Sequence, residues 1–371
     1  MDLPSVAMLE ILSRLSIKSI FRCKTVCKLW YRLLTSDPLF VNMYHTRLSN
    51  FPSILLLING SVQLLVELKA DDSHPLHRAI VLSPEFHLPP LEHMSLIGSC
   101  NGFSCLLNNY YTKNHSVYIN NALLGEYFKV KLPEWERNVC HVAYGFCFRK
   151  AFGQYKILRL VIRKFRWDLP KVAELEVYTV GVDKKWRNVG EVPCPDHLWE
   201  SFDNVNVNGV VHWLENCTSI YSFNIGTEEV KPLPTPPGLK TASWYLTLAE
   251  LGNCLCLSDN SHSQYVDIWR MKEYGVAESW TKYCILKDSI QLDIHNDRFI
   301  PIMTWENGEI LMQRDLGTHV VSYNQKENKF RKVQVYGGFA ATRYNPSFYS
   351  LKTIMGESFQ VSRTHPKTEI V

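Results

Sequence analysis

The sequence lacks long apolar runs and any large excess of one charge. Its longest aliphatic run, Ile54 to Ile58, is far shorter than the roughly 20 apolar residues that a membrane-spanning helix requires. The formal net charge is only +4 over 371 residues. We expect no signal peptide, because Met1-Asp2 leads directly into the first helical pattern. We therefore expect an intracellular protein, located in the cytoplasm, the nucleus or both.

Motifs for catalysis are also missing. The chain has no Gly-rich phosphate loop, no Gly-x-Ser-x-Gly elbow and no His-Glu-x-x-His sequence. The 11 cysteines are odd in number and lie in apolar contexts, which is typical of buried thiols in a reducing compartment. Cys254, Cys256 and His262 lack a fourth ligand at a usual zinc spacing, and His212 is expected to pack and to make one backbone hydrogen bond. We predict no catalytic residues, no metal and no cofactor.

The first 48 residues have more apolar positions than so small a segment can bury. A stripe at helical spacing includes Met8, Ile11, Leu12 and Leu15, and Val6 and Leu9 form a second flank. Between Ile17 and Leu34 there are again two rows of apolar residues: one of Ile20, Cys23, Cys27, Trp30 and Leu34, and a second of Val26, Leu29 and Leu33. A unit of fewer than about 50 residues is marginal by itself. The surplus predicts an interface with another protein; the alternative is a helical hairpin docked on the larger domain of the same chain.

The same segment is basic. It has seven cations and three anions, an excess equal to the net charge of the whole chain. Cations around an apolar surface favour an acidic protein partner, because complementary charge raises the encounter rate and disfavours wrong partners. The cations are scattered and no aromatic platform lies among them, so we do not expect nucleic acid as a partner. We also do not expect a membrane as a binding partner.

This segment contains five short strings: Leu3-Pro4, the run from Leu9 to Leu15, Ile17-Lys18-Ser19, the run from Val26 to Trp30, and the run from Ser36 to Phe40. Together they resemble an F-box. In that family the motif binds the Skp-type adaptor of a cullin–RING (SCF) ubiquitin ligase. The resemblance implies these partner-facing or interface-supporting positions: Leu3, Pro4, Leu9, Ile11, Leu12, Leu15, Val26, Cys27 and Trp30. The sequence departs from the family at Ser16, where a proline is usual between the first two helices.

After Asn50 the pattern changes to repeated pairs of β-hairpins. Each first hairpin has a glycine turn between apolar strands, and Asn-Gly is the strongest short hairpin signal because both turn positions need positive φ. The turn glycines, at 102, 153, 209, 252 and 308, are 51, 56, 43 and 56 residues apart. A second hairpin follows each first one, so each period predicts one four-stranded sheet.

Five such periods favour a β-propeller. Ile54 to Leu68 and Ala79 to Leu82, together with Ser347 to Val361 from the C-terminus, are predicted to complete a sixth blade. The alternative is a β-sandwich, which also has short strands and frequent turns. The predicted fold is therefore mainly β with an N-terminal all-α segment: a three-helix F-box followed by a β-propeller-like domain of about six four-stranded blades.

The β-rich part also resembles a known domain. The strings that carry the resemblance include Asn208 to Leu214, Leu251 to Leu257, Asp267 to Gly275 and Glu278 to Lys282. They are similar to the F-box-associated interaction domain of the large plant F-box family, a kelch-like propeller that captures the protein to be ubiquitinated. The implied domains are residues 1–48 for the F-box and 51–365 for the associated domain. The implied role is a non-catalytic, substrate-recognition subunit of an SCF ligase.

Exposed aromatic residues in irregular segments are the natural candidates for target binding. We predict Trp167, Trp199, Trp244 and Tyr245 on this basis. Two other functions stay open: a propeller enzyme or small-ligand binder with a central pocket of perturbed titratable groups, and an F-box scaffold that does not promote degradation.

Overall fold

A computed structural model of the chain describes residues 5–47, 53–58, 62–67, 78–83, 94–108, 116–134, 139–163, 172–194, 205–215, 219–239, 245–287, 298–304, 308–314, 320–333, 339–356, 360–363 and 367–370. Nothing in these ranges is a helix long and apolar enough to cross a bilayer.

Four short helices begin the described chain, where the sequence predicted three. They are α1 (Ser5–Leu12), α2 (Ile17–Lys24), α3 (Lys28–Ser36) and α4 (Pro38–Arg47). The break before α4 has a local cause, since a residue that precedes proline is disfavoured in helical conformation. Asp37 is accordingly extended, and its Oδ1 accepts hydrogen bonds from the backbone N–H groups of Leu39 (2.8 Å) and Phe40 (3.3 Å). Asp37 thus caps α4.

The described residues form 26 strands in six sheets, numbered here in chain order. The first sheet has the order β24 (Phe339–Tyr344), β1 (Ser53–Ile58), β2 (Val62–Glu67), β3 (Arg78–Ser83), β26 (Lys367–Ile370). The second has the order β25 (Ser362–Arg363), β7 (Glu126–Lys131), β6 (Ser116–Asn121), β5 (Phe103–Asn108), β4 (Met94–Cys100).

The other four sheets each have four strands in chain order. The third contains β8 (Val139–Arg149), β9 (Gln154–Arg163), β10 (Val172–Thr179) and β11 (Arg187–Pro193). The fourth contains β12 (Val205–Val207), β13 (Val210–Glu215), β14 (Ser219–Asn224) and β15 (Val230–Leu233). The fifth contains β16 (Leu246–Leu251), β17 (Cys254–Asp259), β18 (Tyr265–Met271) and β19 (Trp280–Leu286). The sixth contains β20 (Phe299–Thr304), β21 (Ile310–Arg314), β22 (Val320–Asn324) and β23 (Lys329–Val333).

The predicted glycine turns join the first two strands of their sheets. Asn101 and Gly102 have φ values of 45° and 90°, and Asn208 and Gly209 have values of 52° and 80°. Both residues of each pair therefore occupy the left-handed region, which asparagine and glycine tolerate best. The hairpin prediction is confirmed at these turns.

The chain divides into two compact units. The first comprises Met1–Met94, Ser99–Val130 and Thr342–Val371, and the second comprises Ser95–Gly98 and Lys131–Ala341. In the second unit, successive sheets share apolar cores: the third packs with the fourth, the fourth with the fifth, and the fifth with the sixth. Four-stranded meanders that pack in chain order are blades of a β-propeller, whereas a sandwich has Greek-key connections between two sheets. The propeller prediction is confirmed.

The C-terminal contribution to the first sheet differs from the prediction. The added strands are β24 and β26, while Ser347 to Val361 contains a coil and the short helix α5 (Leu351–Met355). Ser350 caps α5, since its Oγ accepts from Lys352 N (3.2 Å). The buried carboxylate of Glu126 accepts from Ser350 Oγ (2.8 Å) and from Leu351 N (2.7 Å). These bonds attach α5 to β7 of the second sheet.

Candidate functional site

One flank of the four helices is covered by the β-sheets of the same unit. A single core, which we call the shared core, joins buried residues of the helices to residues from the first two sheets and the C-terminal segment: Leu9, Leu12, Ile17, Ile20, Leu34, Phe40, Val41, Tyr44, Leu55, Leu65, Ala122, Leu123, Tyr344 and Phe348. At its centre Phe348 contacts Phe40 and Tyr44, with ring centroids 5.5 and 4.9 Å away. The helices are therefore docked on their own chain, as the alternative interpretation held, but along only part of their apolar surface.

A second set of apolar side chains on the helices is exposed. Its members and their exposed fractions are Val6 (66%), Ile11 (53%), Val26 (63%), Leu29 (58%), Tyr31 (55%) and Leu39 (61%). We call these six residues the exposed apolar set. In the part of the chain that the structure describes, they are half of the 12 large hydrophobic residues that are exposed. Such a concentration within some 35 residues is typical of a protein interaction site.

The predicted adaptor-binding residues fall into three groups. Ile11, Val26 and Cys27 are exposed and can contact a partner directly. Leu15 and Trp30 are half-buried and pack against the shared core. Leu9 and Leu12 are buried within that core, so they can support an interface without touching the partner. Leu3 and Pro4 lie outside the described residues.

Four members of the exposed apolar set were not among the predicted contacts: Val6, Leu29, Tyr31 and Leu39. The second apolar rows of the sequence already contained Val6 and Leu29, so periodicity gave a signal for these two. Leu39 follows Pro38 in the first turn of α4, and Tyr31 is next to Trp30 on α3. No helical stripe of the sequence distinguished these last two from core residues.

The turn between α2 and α3 holds Val26 and Cys27 in place. Thr25 Oγ1 donates to Arg22 O (2.8 Å), and the backbone N–H of Val26 donates to Cys23 O (3.2 Å). Cys27 is extended and its Sγ accepts from Trp30 N (3.5 Å), which caps the start of α3. The exposed pair thus lies on a hydrogen-bonded turn rather than on an unsupported loop.

Ser16 compensates in part for the missing proline. It is the N-cap of α2, with φ of −61°, and its Oγ accepts from Ser19 N (3.4 Å) and lies 3.0 Å from Ser19 Oγ. This φ is the value that proline would impose. Serine therefore reaches the same backbone conformation, with a side-chain cap in place of a fixed ring.

The charges around the helices leave several cations without an acidic partner. Glu10 pairs with Arg47 (2.6 Å) and Arg14 (2.7 Å), whose hydrogen bonds lower the pKa of its carboxyl. Lys24 Nζ lies over the rings of Phe21 (4.7 Å) and Phe348 (4.8 Å), and burial lowers its pKa to about 8. Asp37 is occupied in capping α4.

Exposed cations that form no ion pair with any other described residue include Arg22, Lys28 and Arg32. They come from the end of α2 and from the exposed side of α3, which also presents Leu29 and Tyr31. Apolar groups together with free positive charge suit an acidic protein surface.

The candidate target-binding residues are described only in part. Tyr245 is 46% exposed and lies beneath Arg298, whose guanidinium carbon is 5.6 Å from the ring centroid. Trp167, Trp199 and Trp244 lie outside the described residues.

His212 has a structural role. Its Nδ1 is 2.9 Å from Val205 O and its Nε2 is 2.7 Å from Tyr274 Oη, so the ring donates to the carbonyl and accepts from the phenol. The predicted packing and backbone bond are confirmed. Burial lowers the pKa of His212 to about 4, which keeps the ring neutral near pH 7.

Cys256 is likewise buried, which raises the pKa of its thiol to about 12. Within the described ranges no three His, Cys, Asp or Glu residues are grouped as metal ligands.

Comparison with known proteins identifies both parts of the chain. The family profile of the F-box domain matches residues 1–42, and that of the F-box associated beta propeller domain matches residues 54–357. The chain is 26% identical over 388 residues to F-box protein At3g07870 of Arabidopsis thaliana, with 91% of this chain and 88% of the relative covered. It is 26% identical to the F-box/kelch-repeat protein At3g23880 of the same plant, covering 76% and 78% of the two chains. With the F-box protein CPR1, also from Arabidopsis thaliana, the identity is 25% and the coverage 74% and 70%.

Proposed function

The chain belongs to the F-box proteins that have an F-box associated β-propeller domain, and we propose that it is the substrate-recognition subunit of an SCF ubiquitin ligase. In this role the helices bind a Skp-type adaptor, and the β-sheets hold a target protein. The observation that carries the proposal is the exposed apolar set on helices whose other flank is already packed. One flank of the helices packs on the β-sheets and the other flank is free. The same helices would therefore bind the adaptor and connect it to the β-sheet domain through the core that they share with that domain.

The proposed contribution of the chain is proximity rather than chemistry. Tethering a target next to a ubiquitin-charged enzyme turns a bimolecular encounter into an intramolecular one, with effective concentrations in the millimolar range for short spans. This role needs no nucleophile, acid or base in the chain. The neutral, fully hydrogen-bonded His212 fits it well.

The test begins with adaptor binding by the full-length chain. We expect Ile11→Asp combined with Val26→Asp to weaken adaptor binding by about 100-fold or more, because each change places a charge in an apolar contact. Both side chains are more than half exposed, so the fold should be retained. Trp30→Ala is less informative, since Trp30 also packs against the shared core. The matched control is Val182→Asp, which alters a 61% exposed valine of the third sheet.

Ubiquitin transfer is the second arm. The full-length chain, assembled with adaptor, cullin, RING protein and ubiquitin-charged enzyme, should support transfer to itself or to a captured target, and the double variant should not. Equal adaptor binding by the double variant and the Val182→Asp control would refute the placement of the interface. Adaptor binding without any ubiquitin transfer would refute the ligase role and favour a scaffold.

A further inference from the structure

An exposed phenylalanine packs against an arginine at one end of the third sheet. Phe152 lies in the turn between β8 and β9 and is 59% exposed. The guanidinium of Arg149 lies over its ring, 4.6 Å from the centroid. That guanidinium is itself held, because its Nη1 donates to Asn224 Oδ1 (2.8 Å) in the neighbouring fourth sheet.

Two glycines of the fourth sheet make room for this arrangement. A Cβ atom on Gly226 would lie 1.5 Å from Arg149 Nη1 and 2.9 Å from Phe152 Cε2, and one on Gly209 would lie 2.9 Å from Arg149 Cγ. No other residue fits at Gly226 without displacing both side chains. The ring of Phe152 thus packs against the Arg149 guanidinium and close to Gly226, and contacts that restrict a side chain before binding lower the entropy cost of binding to it.

The same end of the third sheet also presents a second exposed apolar residue and three unpaired cations. The turns β8–β9 and β10–β11 are neighbours, since Val180 N donates to Tyr155 O (2.9 Å). They present Val182, 61% exposed, and the exposed Lys150, Lys184 and Lys185. We call Phe152, Val182 and these three lysines the Phe152 patch. Its lysines form no ion pair with any other residue that the structure describes.

The acidic residues that the structure describes near these two turns are already paired. Asp183 accepts from Thr179 N (2.7 Å) and Arg187 Nε (3.2 Å). Glu228 pairs with Lys156 and, through both oxygens, with Arg187 (2.8 and 3.0 Å). The more exposed Glu229 pairs with Lys231 (2.9 Å). Among the residues that the structure describes, these acidic groups therefore leave the three lysines of the Phe152 patch without a counter-charge.

We propose that the Phe152 patch binds an acidic peptide segment that carries a large apolar side chain between Asp or Glu residues. Phe152 and Val182 would contact the apolar side chain, and the three lysines would face the carboxylates. The inference deepens the proposed function and rests on it, because such a segment would be the feature by which a target protein is recognised. Complementary charge would select it over basic segments.

The experiment uses the full-length chain and a phage-displayed library of random peptides of about 12 residues, a length that spans an extended contact surface. Selected peptides should combine net negative charge with at least one large apolar residue. Their affinity, measured by fluorescence anisotropy, should fall about tenfold or more in Phe152→Ala, as expected for a central contact. It should fall by a similar factor in Lys184→Glu combined with Lys185→Glu. Because salt screens charge interactions, the difference in affinity between this double variant and wild type should be smaller at about 300 mM NaCl than at about 50 mM.

Two matched variants serve as controls. Lys326→Glu reverses an exposed lysine in the β22–β23 turn of the sixth sheet, and Leu286→Ala shortens a 46% exposed apolar side chain of the fifth sheet. Both should change the affinity by less than about twofold. The inference is overturned if no peptide is selected, if the selected peptides are neutral or basic, or if Phe152→Ala binds them as wild type does. A larger effect of Tyr245→Ala, at the target-binding position predicted from the sequence, than of Phe152→Ala also overturns it.

The same preparations are tested for adaptor binding, which separates the two proposals. Adaptor binding without selection of acidic peptides would refute the Phe152 patch and leave the proposed function in place. Selection of acidic peptides without adaptor binding would refute the proposed function.

Discussion

Two leucines of α3 allow adaptor binding to be separated from folding. Leu29 is 58% exposed, whereas Leu34 has an exposed fraction of 0% and belongs to the shared core. Full burial of a leucine side chain contributes about 1.5–3 kcal/mol, so burial of the 58% that is still exposed would contribute about 0.9–1.7 kcal/mol. Leu29→Ala should therefore raise the Kd for the Skp-type adaptor by about 5- to 20-fold. Its unfolding free energy should change by less than about 0.5 kcal/mol.

Leu34→Ala should show the opposite pattern. Removal of a fully buried leucine costs about 2–5 kcal/mol of stability, through lost apolar contact and the cavity that is left. The assays are isothermal titration with the adaptor and urea unfolding of the free chain, with Leu286→Ala, a 46% exposed position on β19, as the control for both. The reasoning is refuted if Leu29→Ala binds the adaptor as tightly as Leu286→Ala does. It is also refuted if Leu29→Ala destabilises the chain as much as Leu34→Ala.

Three further predictions concern stability. A chain that begins after Asn50 should unfold at lower urea concentration and lose at least about 3 kcal/mol, because it uncovers apolar residues of the shared core; an unchanged midpoint would contradict that core. Ser16→Ala should lose about 1 kcal/mol or less in thermal or urea unfolding, since its capping bond is long at 3.4 Å, and a loss above about 2 kcal/mol would show another role. Arg187 and Lys156 lower the pKa of Glu228 to about 2. Because this pKa is lower in the folded chain than the unfolded value of 4.5, ionised Glu228 stabilises the fold fully above pH 4.5. That contribution to the unfolding free energy decreases as the pH falls towards 2 and the carboxylate is protonated. The stability difference between wild type and Glu228→Gln should therefore shrink from pH 7 to pH 3 in urea titrations, and a constant difference would argue against these ion pairs.

The sequence predicted the repeated sheets well, because the Asn-Gly turns impose a backbone geometry that few other residues tolerate. Asn208 and Gly209 have the positive φ values that a tight hairpin requires. The sequence was less informative about the C-terminal strands. Ser347 to Val361 is as apolar as a strand, but the capping bond of Ser350 and the buried carboxylate of Glu126 favour a short helix there. That preference depends on a residue more than 200 positions away, and local patterns do not contain it.

The sequence predicted the candidate interface as a surplus of apolar residues. It did not predict which of these residues are buried by the chain itself and which stay exposed. Periodicity showed two apolar flanks on the helices without indicating which one the chain covers itself. The structure assigns Leu9 and Leu12 to the covered flank and Ile11 to the free one, although all three belong to the same motif. The choice depends on the shape of the sheets beneath the helices, including the position of Phe348, a residue distant in sequence. Exposed Phe152 had no sequence signal, since an isolated phenylalanine in a turn has no periodicity.

Hydroxyl-radical footprinting of the full-length chain, with and without a Skp-type adaptor, measures most directly whether the exposed apolar set is an interface. The reagent modifies side chains according to their contact with solvent, and its products are located by mass spectrometry. We predict that the adaptor reduces modification of Ile11, Leu29 and Tyr31, and leaves Phe152 and Tyr245 unchanged. Unaltered modification of those three helical residues at saturating adaptor would contradict the account.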